Sequence, residues 1–215
     1  MLDSVSLLAA ETRRSRAYLT AMRDNGLLPR WMVFLDDGRE ADGKSLADVA
    51  QDLGIDVVIV KSADINAPCV VEAVAGIESP YVVFSGPAGA IVRRALFETG
   101  KRFIHVHPGR LPEFRGSTTI YYSLLAENKV EATALLLGAG IDSGPVIGRA
   151  EFDPPADRRE IDGDYDAVIR SRLLVSVLRD FERSNRFEPL DQAADTGETF
   201  YIIHPVLKHL AILAS

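Results

Sequence analysis

The sequence predicts an α/β fold: a Rossmann-like, doubly wound, mostly parallel sheet followed by a short C-terminal helical extension. Three observations carry this expectation. Short apolar runs alternate with longer stretches of helical period as far as residue 107. The runs are nearly continuous in Val, Ile, Leu and Phe, as in strands covered by crossover helices on both faces. Hydrophobic residues make up 47% and charged residues 26% of 215, with 16 glycines and 11 prolines, a composition that builds a core rather than a disordered chain.

The elements follow in order. Strands are expected at 5–9, 31–35, 56–60, 81–84 and 102–107, with helices between them at 14–25, 45–53, 67–76 and 89–99. A further helix starts near Thr118, and two more strands at 132–137 and 146–152 flank the turn-rich Gly138-Ala139-Gly140-Ile141-Asp142-Ser143-Gly144-Pro145. Asp153-Pro154-Pro155 interrupts both ladders and helices, so residues 1–152 read as a catalytic-type domain and 153–215 as a helical extension packed on it or on a partner subunit. That extension holds an amphipathic helix over 166–184 and the apolar stretches 200–203 and 207–213, which are suited to docking, including against a second copy in a homodimer.

Composition excludes several functions. Asp plus Glu number 31 against 24 Lys plus Arg, a net charge of −7 that gives no general attraction to nucleic acid or an anionic membrane. The single cysteine, Cys69, permits neither an internal disulfide nor a multi-cysteine zinc site, and its apolar helical setting suggests core filling. The acidic N-terminus lacks the pattern of a secretory signal, and no apolar run approaches a membrane span, so a cytoplasmic protein is expected.

In a parallel sheet, ligands bind beyond the carboxyl ends of strands. His105 and His107 stand there two residues apart, which places them on one face roughly 6–7 Å apart, able to serve a substrate or merely to cap the strand. A Pro/Gly-rich loop, His107 to Thr118, follows; its arginines read as substrate contacts or as solvated side chains. Asp142 lies 35 residues after His107 in the second glycine-rich loop, where a carboxylate can orient an imidazole, move protons, or simply form a turn. Ser85-Gly86-Pro87-Ala88-Gly89 lacks the spacing of a dinucleotide fingerprint, and there is no Walker Lys-Ser/Thr, so nicotinamide and nucleotide phosphates are not supported. His204 and His209 read as packed or solvated.

At His105-Val106-His107-Pro108-Gly109-Arg110-Leu111-Pro112-Glu113-Phe114-Arg115-Gly116, together with Ile141-Asp142-Ser143-Gly144-Pro145, the chain resembles the folate-dependent formyltransferase family. That family's signature is Asn-x-His-Pro-Ser-Leu-Leu-Pro, with a following Arg-Gly and a later Asp-x-Gly-Pro. The resemblance implies that His107 polarises the formyl carbonyl and stabilises its oxyanion, while Asp142 assists proton removal from the attacking amine. It implies 10-formyltetrahydrofolate as donor, cradled by Pro87, Ala88, Gly89, Ala90 and Ile91 and by Gly138, Ala139, Gly140, Ile141 and Gly144. Two departures stand out: the family's catalytic Asn is His105, and its Gly-x-Thr-x-His reads Glu131-Ala132-Thr133-Ala134-Leu135. The chain's length is also expected to leave no room for an appended RNA-binding domain.

The expected function is therefore formyl transfer to a small-molecule amine, an amino sugar or amino-acid-like metabolite. His107, Asp142 and a modified orienter His105 are the catalytic residues, and Arg110, Arg115, Gly116 and Ser117 contact substrate, without a metal. Two alternatives are a metal-dependent hydrolase or deformylase using His105, His107 and Asp142, and a folate-binding relative that has lost turnover.

Overall fold

The computed structural model describes residues 1–193 and 197–214. It divides into two compact units, Met1–His105 and Val106–Ser215, so the expected boundary at 152/153 falls inside the second unit.

The first unit carries β1 (Leu2–Ala10), α1 (Arg13–Asp24), β2 (Pro29–Asp36), α2 (Leu46–Asp52), β3 (Asp56–Lys61), α3 (Pro68–Ala75), β4 (Tyr81–Ser85), α4 (Arg94–Phe97) and most of β5 (Arg102–His107). Its strands run parallel in the order β3-β2-β1-β4-β5. This is the Rossmann-like α/β arrangement expected, because parallel neighbours need the crossover helices that the sequence alternation supplies. Val5, Leu7, Leu8 and Ala9 are fully buried on β1, consistent with apolar residues pointing to both faces of a central strand. Thr12 caps α1 by accepting from the Ser15 amide at 3.0 Å, and Ser45 caps α2 through the Asp48 amide at 3.1 Å.

Two expectations in this unit need correction. The helix expected over 89–99 shrinks to Arg94–Phe97, because Pro87 and Gly89, at φ +75°, hold the preceding segment as a loop. Cys69 is exposed rather than core-filling; Val70 and Val74 supply the buried side of α3.

The second unit takes in the end of β5, then β6 (Phe114–Gly116), α5 (Thr119–Glu127), β7 (Val130–Leu136), β8 (Val146–Phe152), α6 (Asp166–Ser184), β9 (Glu198–Phe200) and α7 (Pro205–Leu213). β7 and β8 pair antiparallel across the glycine-rich loop. α6 lays Leu173, Leu174, Val177, Leu178 and Phe181 inward and packs on this hairpin. It comes so close to β8 that a Cβ on Gly148 would stand 2.6 Å from Val177 Cγ2.

Chain near the C-terminus returns as β9 and pairs in parallel with β6, an element too short and mixed in composition to be expected from the sequence. Of the apolar stretch 200–203, Phe200 stacks on Phe114 and Ile203 is buried, but Tyr201 and Ile202 are exposed. Among the described residues, no helix is long and apolar enough to cross a membrane.

Candidate functional site

In the first unit, strand order reverses between β1 and β4, the place where doubly wound sheets open a crevice. The loops leaving these strands are tied together. Arg14 donates to the Gly86 carbonyl at 2.6 Å and to Ser85 Oγ at 3.2 Å, and the Ser15 hydroxyl donates to the Ser85 carbonyl at 2.9 Å. Beside them lies a cavity of about 330 Å³ walled by Pro87, Ala88, Gly89, Ala90 and Ile91, with Asp64 and Asn66 at its edge. A Cβ on Gly89 would meet nothing within 4 Å, so this wall is open to a ligand. Asn66 shapes the loop by donating to the Ile91 carbonyl at 3.0 Å and accepting from the Arg93 amide at 2.8 Å. Arg14, Ser15 and Asn66 were not singled out in the sequence; their position after strands β1 and β3 was the available signal. His105, half-buried near the end of β5, tilts its ring against Phe84 with centroids 6.1 Å apart.

The second unit brings His107 and Asp142 together: His107 Nδ1 lies 3.3 Å from Asp142 Oδ2. His107 is 2% exposed, and its Nε2 stands 2.6 Å from the Phe114 carbonyl oxygen. A carbonyl can only accept, so Nε2 carries a hydrogen, and Nδ1 is the ring atom that faces Asp142. Burial holds this imidazole below its ordinary value near 6.5, and Arg170 acts in the same direction. The Asp142 carboxylate, the Phe114 carbonyl and Asp166 pull the other way. Thr119 braces the loop, donating to the Pro108 carbonyl at 2.7 Å. Nothing larger than glycine fits at 109, where a Cβ would lie 2.9 Å from His107 Nε2.

Asp142 adopts a left-handed backbone at φ 48°, which an Asp tolerates better than most residues. Its Oδ2 accepts from the Gly116 amide at 3.0 Å. The loop is compressed around Gly144, since a Cβ there would sit 1.6 Å from the Leu136 carbonyl oxygen. Gly138 and Gly144 thus serve the turn itself, while Ala139, Gly140 and Ile141 are exposed. Ser143 closes the turn by accepting from the Gly140 amide at 3.1 Å.

The two arginines differ. Arg110 is held by Glu127 at 2.7 Å, Glu131 at 3.1 Å and Glu113 at 3.5 Å, so its charge is already matched by carboxylates. Arg115 donates to Gln192 Oε1 at 3.2 Å and meets no carboxylate among the described residues; the buried Nε atoms of both arginines lack a hydrogen-bond partner among those residues. Gly116 meets Asp142, while the exposed Ser117 donates its amide to the Phe200 carbonyl at 2.9 Å. Gln192, absent from the sequence expectations, lay in a polar stretch with no motif to mark it.

No family model matches the chain. A methionyl-tRNA formyltransferase from Chloroflexus aurantiacus is 32% identical over 137 residues, 62% of this chain and 44% of that protein. The chain therefore spans under half the length of the curated relatives it matches first. Among solved structures, glycinamide ribonucleotide transformylase 1 from Symbiobacterium toebii superposes with TM-score 0.65 at 22% identity, covering 87% of this chain and 93% of that one. An N-formyltransferase from Helicobacter canadensis, in complex with folinic acid and dTDP-3-aminofucose, superposes with TM-score 0.62 at 16% identity, covering 92% and 70%. Over the matched stretch the sequence is similar to methionyl-tRNA formyltransferases, and the fold is the one seen in the solved formyltransferase structures.

Proposed function

We propose that the protein transfers a formyl group from 10-formyltetrahydrofolate to the amine of a small molecule, an amino sugar or an amino-acid-like metabolite. The observation that carries this reading is His107 Nδ1 3.3 Å from Asp142 Oδ2, an imidazole and a carboxylate placed to pass a proton between them. The donor would supply a formyl group bonded to N10, the nitrogen that joins the reduced pterin's methylene to the aminobenzoyl ring. The open wall formed by Pro87 to Ile91 leaves room for a flat ring, with Asp64 and Asn66 offering polar groups at its edge. Attack by an amine on the formyl carbon puts negative charge on oxygen and a removable proton on nitrogen. Asp142 would accept that proton. Collapse of the tetrahedral intermediate then breaks the bond between the formyl carbon and the donor nitrogen, which takes up a proton relayed from Asp142 and His107 Nδ1 and leaves as tetrahydrofolate. Because His107 Nε2–H is already given to Phe114, we assign oxyanion stabilisation to His105, an imidazole N–H in place of the family's amide. With Arg110 matched by three carboxylates, Arg115 is the arginine we assign to an anionic substrate group.

The net charge of −7 and the sugar nucleotide bound by the Helicobacter canadensis protein favour a small acceptor over RNA. A second copy is the partner we assign to the C-terminal apolar stripe. Tyr201, Ile202, Val206, Leu210 and Leu213 are each at least half exposed and carry no charge that would repel across a two-fold axis. One lone cysteine accords with a cytoplasmic setting.

The test is a transfer assay with 10-formyltetrahydrofolate and a panel of amino sugars and amino acids. Asp142→Asn should lower kcat at least ~100-fold, as loss of a general base does. Transfer at the wild-type rate by the variant defeats the assignment. Activity abolished by a chelator, with metal in the purified protein, would favour the hydrolase reading instead.

A further inference from the structure

We infer that Gln192 is a positioning residue for Asp142, supplied 50 residues downstream of it and outside both motifs. Its Nε2 donates to the carbonyls of Asp142 and Gly144, each at 2.7 Å. Carbonyls only accept, so the amide orientation follows: Nε2 faces the loop and Oε1 accepts from Arg115 Nη2 at 3.2 Å. The contacts close a ring. Gln192 grips the backbone of Asp142, the Asp142 carboxylate accepts from the Gly116 amide, and Gly116 follows Arg115, which returns to Gln192. Leu190 holds this segment in place through paired 2.8 Å hydrogen bonds with Val146. Asp142 holds a left-handed backbone, a conformation that L side chains adopt at a cost and that surrounding contacts must maintain. The bond to its own carbonyl, with the second to Gly144 two residues on, restrains the Asp142 backbone and with it the direction of the side chain. The same amide ties the Asp142 loop to the loop that follows His107.

The inference rests on the formyl-transfer reading for its kinetic consequence, but not for its structural one. Gln192→Met keeps the volume and removes both donors. It should lower kcat about 10-fold with KM changed less than about threefold, and should add less than about twofold when Asp142 is already Asn, as expected when one residue acts through another. An equal loss in both backgrounds, or an unchanged kcat, overturns the inference. A second readout needs no activity. Hydrogen exchange at the Gly116 amide should quicken at least about 10-fold in Gln192→Met, while the Leu136 amide, bonded to the Pro145 carbonyl, keeps its protection. If the wild type transfers no formyl group, that reading fails and the exchange result alone decides this one. Unchanged Gly116 exchange overturns it.

Discussion

Thr133 lies fully buried on β7, and its hydroxyl links two parts of the loop that follows His107. It donates to the Gly109 carbonyl at 2.7 Å and accepts from the Leu111 amide at 3.2 Å. Thr133→Val preserves shape and strand preference, so its effect isolates these hydrogen bonds. A buried backbone group left unsatisfied costs about 1–3 kcal/mol, and removing the buried hydroxyl returns part of that. Two such groups give a net loss of about 2–4 kcal/mol. For a chain of this size, that corresponds to a fall in Tm of roughly 5–12 °C. Urea unfolding at neutral pH measures the loss directly, and Thr133→Ser, which keeps the hydroxyl, should stay within about 1 kcal/mol of wild type. A Thr133→Val protein within about 0.5 kcal/mol of wild type would refute the claim that this hydroxyl organises the loop.

Acid should weaken the fold through His107. Its folded-state value lies below 6.5, so as pH falls through that point the unfolded chain gains a proton first and stability drops, at most about 1.4 kcal/mol per pH unit from this group. The loss levels off below the folded-state value, and activity that needs a bare Nδ1 falls over the same acidic window. The stability of the wild type minus that of His107→Gln should therefore fall as the pH drops below 6.5; a wild type that gains stability over the variant on acidification contradicts the assignment. For the C-terminal stripe, sedimentation should show a dimer at tens of micromolar that Leu210→Glu converts to monomer, and a monomeric wild type removes the partner proposed for that surface.

Much of the fold was legible because its signals are local. Val5 to Ala9, Trp31 to Leu35 and Asp56 to Val60 are short apolar runs between helical periods, and each is a strand in the structure. Local signals also misled. Residues 89–99 have helical content, yet Gly89 at positive φ and the Asn66 contacts keep 89–93 as a loop. Cys69 sits in an apolar segment, but the helical phase set by Val70 and Val74 turns it outward.

The sequence by itself determined the parallel α/β layer, the two loops that carry His107 and Asp142, and the family resemblance, because each is written in contiguous residues. Only the tertiary structure decided how those groups are used. The tautomer of His107 follows from a carbonyl seven residues away in the chain, and the neutralisation of Arg110 follows from carboxylates on α5 and β7. Gln192 and β9 reach the Asp142 and Gly116 loops from the far end of the unit. Hydrogen bonds between distant segments form only once packing has brought their ends together, and no local propensity records them.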